Sequence, residues 1–228
     1  MQRKRVFNFC FLHHCVPFQI MKLEVTTLGK YFGQRWVFKD LNFSPVGGIL
    51  GVAGPNGSGK STLLRCLAGL LRQDKGEIIW HAENSESAVF DVRQQGGFAA
   101  PYIHLYKDLT CRENLDFLSA PLDVPTRAEE YDMLLQDVGI GEKIDASFKS
   151  LSSGQQQRMK LIAATIHRPI VLFLDEPGTN LDTKGFNFIK KVLDDRRDEG
   201  FLTILASNNS EELALCDTII NVDSSKND

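Results

Sequence analysis

From Met21 onward, short apolar runs alternate with longer segments in which apolar residues recur at helical spacing. The short runs predict strands at 21–26, 36–43, 48–53, 76–80, 170–175, 201–206 and 218–222. The longer segments predict helices at 60–70, 111–119, 126–138, 154–167, 184–199 and 210–215. GILGVA (48–53) and IVLFL (170–174) are apolar throughout, the pattern of strands covered on both faces. Alternating strand and helix patterns indicate an α/β sheet. The stretch from about 101 to 165 has no convincing strand pattern and reads as an inserted helical region.

The first 20 residues interrupt this scheme. A basic start and an apolar stretch suggest a secretory leader, but His13, His14 and Pro17 break the apolar part and no small-residue cleavage site follows. Residues 1–20 are therefore read as an extension outside the core, and 21–228 as a single domain. Cys10, His13, His14 and Cys15 crowd together at spacings that do not suit zinc. The five scattered cysteines point to free thiols in a reducing compartment. A formal net charge of −3 gives no general electrostatic case for nucleic acid, and no run of apolar residues is long enough to span a membrane.

Residues 54–62 read GPNGSGKST, directly after one apolar strand pattern and directly before a helical one. This is the complete phosphate-loop pattern in the context it requires. Gly54, Gly57 and Gly59 allow the loop, with Pro55, Asn56 and Ser58, to turn its backbone N–H groups into one concavity. The helix beginning at Lys60-Ser61-Thr62 adds its positive end. Lys60 supplies a mobile cation for the outer phosphates, and Ser61 a hydroxyl for Mg2+. A second buried strand ends in Asp175-Glu176. Asp175 is positioned to orient the magnesium's water shell, and Glu176 to polarise the water that attacks the γ-phosphate. The fold class is thus a P-loop NTPase α/β sheet with a β-rich N-terminal part and an inserted helical subdomain.

Leu151-Ser152-Ser153-Gly154-Gln155 precedes a helix, with Ser152 as its predicted N-cap. Here the chain resembles the ATP-binding cassette family, whose signature is LSGGQ, with Ser153 in place of the first glycine. The order of phosphate loop, helical insert, signature and Asp-Glu strand also matches, over roughly Met21 to Val222. The resemblance implies a head-to-tail dimer, homo- or heteromeric, in which the 54–62 loop of one protomer and the 151–155 signature of the other close on one ATP. It implies that Asp182, in TNLD, contacts the partner protomer, and that Phe32, or its neighbour Tyr31, stacks on adenine. It further implies a transmembrane permease partner and a place on the cytoplasmic face of the membrane; no nucleic acid is expected, on the charge already given.

Two positions depart from the family. Its glutamine at the junction of sheet and insert falls on Pro101, which has no side-chain donor or acceptor. Its histidine after the last core strand falls on Asn208, which can hydrogen-bond a phosphate oxygen but cannot become cationic. The expected function is ATP binding and hydrolysis that powers a separate membrane subunit. The alternatives are a cassette ATPase serving a non-transport partner, and a slow-hydrolysing ATP-binding switch.

Overall fold

The computed structural model describes residues 21–82, 91–120 and 128–223. The Cys10–Cys15 cluster lies outside these residues, and no group of three or more His, Cys, Asp or Glu suited to a metal occurs among them. No helix among them is long and apolar enough to cross a membrane.

Strands β1 (Met21–Phe32), β2 (Arg35–Phe43) and β4 (Lys75–Ala82) form an antiparallel sheet in the order β2-β1-β4. The other five strands are β3 (Gly48–Ala53), β5 (Gly96–Ala99), β6 (Val171–Asp175), β7 (Leu202–Ser207) and β8 (Thr218–Asn221). They form a parallel sheet in the order β5-β6-β7-β3-β8. The helices are α1 (Lys60–Leu67), α2 (Val92–Gln95), α3 (Cys111–Ser119), α4 (Ala128–Asp137), α5 (Ser153–Thr165), α6 (Thr183–Asp198) and α7 (Ser210–Leu213).

All of β6 and β7 is buried, because the parallel sheet is covered on both faces. On one face, Val52, Phe173 and Ile204 pack with Leu63, Leu64 and Leu67 of α1 and with Leu23 and Phe38 of the antiparallel sheet. On the other, Leu172, Leu174 and Leu205 pack with Met159 and Ile162 of α5 and Ile189 and Leu193 of α6. Alternate residues of each strand therefore serve two cores, the consequence of a period of two.

Two strand expectations need correction. β1 runs past Thr26 to Phe32, through register shifts between Val25 and Leu28 and a left-handed Thr27 (φ 47°). These bulges break the alternation that marks its first half, so periodicity alone ends the strand early. The edge strand β5, with the short α2 before it, has no apolar pattern at all. A side chain at Gly97 meets the carbonyl of Ala164 in α5 and, at 2.7 Å, Cγ of Pro169. Close approach of α5 thus demands the glycine that hides the strand.

Candidate functional site

In the parallel sheet β6, β7 and β3 are neighbours in that order, with Asp175 beside Ala206 and Ala53 beside Ser207. Their carboxyl ends bring together three segments far apart in sequence: the 54–62 loop, Asp175-Glu176 and Ser207-Asn208. This is where open parallel sheets bind ligands.

The loop joins β3 to α1, whose first turn has no side-chain cap. Gly59 precedes it at φ 105°, and a Cβ there collides with Cγ1 of Val37. Only glycine permits this tight entry into the helix. Ser58 is buried and its hydroxyl lacks a hydrogen-bond partner. Lys60 is also buried, and its ammonium donates to the carbonyls of Gly54 (2.9 Å) and Pro55 (3.2 Å). It lies 3.2 Å from Oε1 of Glu176. The expectation of a mobile cation is corrected on this point: a buried ammonium must be satisfied, and the loop's own carbonyls and Glu176 satisfy it.

Glu176 sits in the left-handed region (φ 49°), a conformation costing roughly 1–2 kcal/mol for a residue with a Cβ. Its N–H donates to the Ala206 carbonyl at 2.9 Å, which keeps the chain beside β7 through this turn. The turn directs the carboxylate at Lys60. Asp175 is buried, and neither of its oxygens has a hydrogen-bond partner. Burial pushes its carboxyl above the usual range; the facing Ser61 hydroxyl opposes the shift and the Glu176 charge adds to it.

Asn208 does not cap α7. That is done by Asn209, whose Oδ1 accepts from the Glu211 N–H at 2.7 Å. Asn208 instead donates from Nδ2 to Oδ1 of Asn56 in the loop at 2.8 Å. At the start of α5, Ser152 and Gln155 form a reciprocal capping box at 3.3 and 3.0 Å. Leu151 is buried, while Ser152 and Ser153 are exposed. Gln157 donates to the Pro177 carbonyl at 3.0 Å and Arg158 to Asp182 at 2.9 Å, tying this helix to the loop after β6. A Cβ at Gly154 lies 2.9 Å from the Asn180 carbonyl in the same loop.

A family model for ABC transporters matches residues 38–179. The chain belongs to the ABC transporter family. It is 35% identical over 202 residues to the sulfate/thiosulfate import ATP-binding protein CysA of Synechocystis sp., covering 86% of this chain and 56% of CysA. It thus spans little more than half of that relative. It is 32% identical over 194 residues to the cytochrome c biogenesis ATP-binding export protein CcmA of Pseudomonas aeruginosa, covering 85% of this chain and 95% of CcmA. Among solved structures, cbiO1 of Clostridium perfringens, part of the ABC transporter complex cbiONQ, shares the fold. It has a TM-score of 0.69 and 24% identity, over 89% of this chain and 84% of that one.

In this member of the ABC transporter family the remaining expected residues are distributed unevenly. Asp182 caps α6, its Oδ1 accepting from the Gly185 N–H at 2.9 Å, while Oδ2 holds Arg158. Both oxygens therefore have duties within the chain. Tyr31 packs edge-on against Trp36 at 5.4 Å, whereas Phe32 is 55% exposed with the Lys30 ammonium 5.2 Å from its ring centre. Pro101 is exposed and only its carbonyl is engaged, by Lys160 at 3.2 Å.

Two residues of the site were not singled out from sequence. Glu212 is buried on α7 and accepts from the Gly178 N–H at 3.1 Å, pinning the segment after Glu176. Burial raises its carboxyl too. Tyr102 turns its hydroxyl inward toward Asp175, with the Arg65 guanidinium 3.9 Å from its ring centre. Its place immediately after Pro101 is the one sequence signal that could have drawn attention to it.

Proposed function

We propose that this chain powers a transmembrane permease by closing head to tail with a second ATPase subunit around ATP, at the cytoplasmic face of the membrane. The observation that carries the reading is the convergence of the 54–62 loop, Asp175-Glu176 and Asn208 at three adjacent strand ends. Gly54, Pro55, Asn56, Gly57, Ser58 and Gly59 cradle the phosphates, Lys60 pairs with their outer oxygens, and Ser61 and Thr62 sit at the positive end of α1. Phe32, more exposed than Tyr31, offers its face to adenine. Leu151, Ser152, Ser153, Gly154 and Gln155 of the other protomer close the far side, with Asp182 holding α6 and α5 in register behind them.

Mg2+ suits this site. A buried carboxylate without a donor is costly unless a positive partner joins it, and the buried, unpartnered Asp175 beside the Ser61 hydroxyl offers the all-oxygen set a hard cation takes. Ser61 and Asp175 would hold the ion, which when bound would supply positive charge against the negative charge of the phosphate groups. An incoming γ-phosphate competes with Glu176 for Lys60, which releases the Glu176 carboxylate to a water. That carboxylate takes the water's proton as the oxygen attacks phosphorus and the bond to the β-phosphate oxygen breaks. Asn208 donates its amide to a γ-phosphate oxygen in place of Asn56.

Import and export relatives both match, as suits a motor module whose cargo is handled by another subunit. The test is steady-state ATP turnover by the purified chain, with and without the membrane protein that co-purifies from detergent extracts. Glu176→Gln lowers turnover about 100-fold or more while ATP still binds; equal turnover in variant and parent defeats the assignment. Asn208→Ala slows turnover without abolishing binding, and an unchanged rate removes Asn208 from the reaction.

A further inference from the structure

Resting on that reading of the site, we infer that Tyr102 is a positioning residue for Mg2+–ATP: its hydroxyl orients Asp175 and the cation's water shell, the task for which Pro101 has no side chain. The phenol oxygen is buried and has no hydrogen-bond partner, and the same holds for both oxygens of Asp175. The two groups interact with each other, and the Arg65 guanidinium with the phenol, yet none of these contacts reaches hydrogen-bond geometry. Unpartnered buried polar atoms are costly, and a pair of them aimed into one space is satisfied by something that enters it.

The ring is held in place. Arg65, on α1, lies against one face with its guanidinium carbon 3.9 Å from the ring centre, and Phe98 of β5 packs at 6.2 Å and 51°. Before it, Pro101 fixes the backbone and its carbonyl accepts from Lys160 of α5. The hydroxyl is thus presented by a braced aromatic side chain, on a strand exit adjacent to β6. The phenol O–H is a donor facing a carboxylate acceptor. Ser61, Asp175 and Tyr102 together make an oxygen-only cluster, and outer hydrogen bonds of this kind fix the orientation of the ligands that bind metal.

The experiment measures ATP affinity of the full chain carrying Glu176→Gln, in EDTA and in Mg2+, and compares it with the same chain carrying Tyr102→Phe in addition. Phenylalanine keeps the ring on Arg65 and Phe98 and removes only the hydroxyl. The expected result is a loss of about tenfold in the Mg2+-dependent gain in affinity, with metal-free ATP binding unchanged. Mn2+ electron paramagnetic resonance on the ATP complex gives a second readout, in which Tyr102→Phe alters the spectrum of the bound ion. An unchanged Mg2+ gain and spectrum overturn the inference, as does an equal loss with and without metal, which marks a purely structural role. Failure of the parent to bind ATP in either condition defeats the reading of the site itself and is distinguishable from both.

Discussion

Asp175 is where the site and the stability of the chain conflict most directly. Its folded-state pKa is raised by burial, so the ionised form is penalised by folding. The penalty is absent below the unfolded carboxyl pKa of about 4 and grows as pH rises toward the folded value, above which it is constant. The expected outcome is that Asp175→Asn raises the thermal midpoint of the ligand-free chain more at neutral pH than near the unfolded carboxyl pKa of about 4, while weakening the response to Mg2+–ATP. Thermal scans at the two pH values check this. A destabilising Asp175→Asn at both would show that the carboxylate is satisfied in the ligand-free chain. Lys60 tells a related story. The ammonium proposed to meet the phosphates is held by two loop carbonyls and Glu176.

At the scale of elements, α6 is fastened to the sheet by one buried arginine. Arg196 donates to Thr203 Oγ1 (3.0 Å) and to the carbonyls of Pro169 (2.8 Å), Ile170 and Leu202 (both 3.3 Å), at the entries to β6 and β7. Burial lowers its pKa to about 10, so it stays charged at neutral pH. Arg196→Leu strands these acceptors in the interior and is expected to cost about 3 kcal/mol, measured by urea denaturation. A cost under about 1 kcal/mol would mean that water replaces the guanidinium. Most helices and strands were legible from their periods, because each has one buried face or is buried on both. β5 and the far half of β1 were not. The first is dictated by the packing of α5 over Gly97, the second by bulges that restart the alternation out of phase.

For the whole molecule, Ser152 and Ser153 at the start of α5 are exposed, as the proposed contact with a second protomer's nucleotide requires. In the Glu176→Gln chain, ATP is expected to shift the protein from monomer to dimer in size-exclusion chromatography. Ser153→Arg is expected to abolish that shift and reduce turnover of the otherwise unaltered chain at least about tenfold, with ATP binding to the single chain retained. A monomer throughout would confine the chemistry to one protomer. The phosphate loop, the Asp-Glu strand end and the Ser152 cap were fixed by sequence, because local geometry alone requires glycines, a helix start and a buried strand at those spacings. Asn208 could be aligned by sequence, but its amide bond to Asn56 spans 152 positions and exists only because β7 lies between β6 and β3. The same holds for Glu212 under Gly178 and for Tyr102 against Asp175. Such contacts join elements through the stacking of the sheet, and a linear pattern carries no term for distance between strands that are remote along the chain.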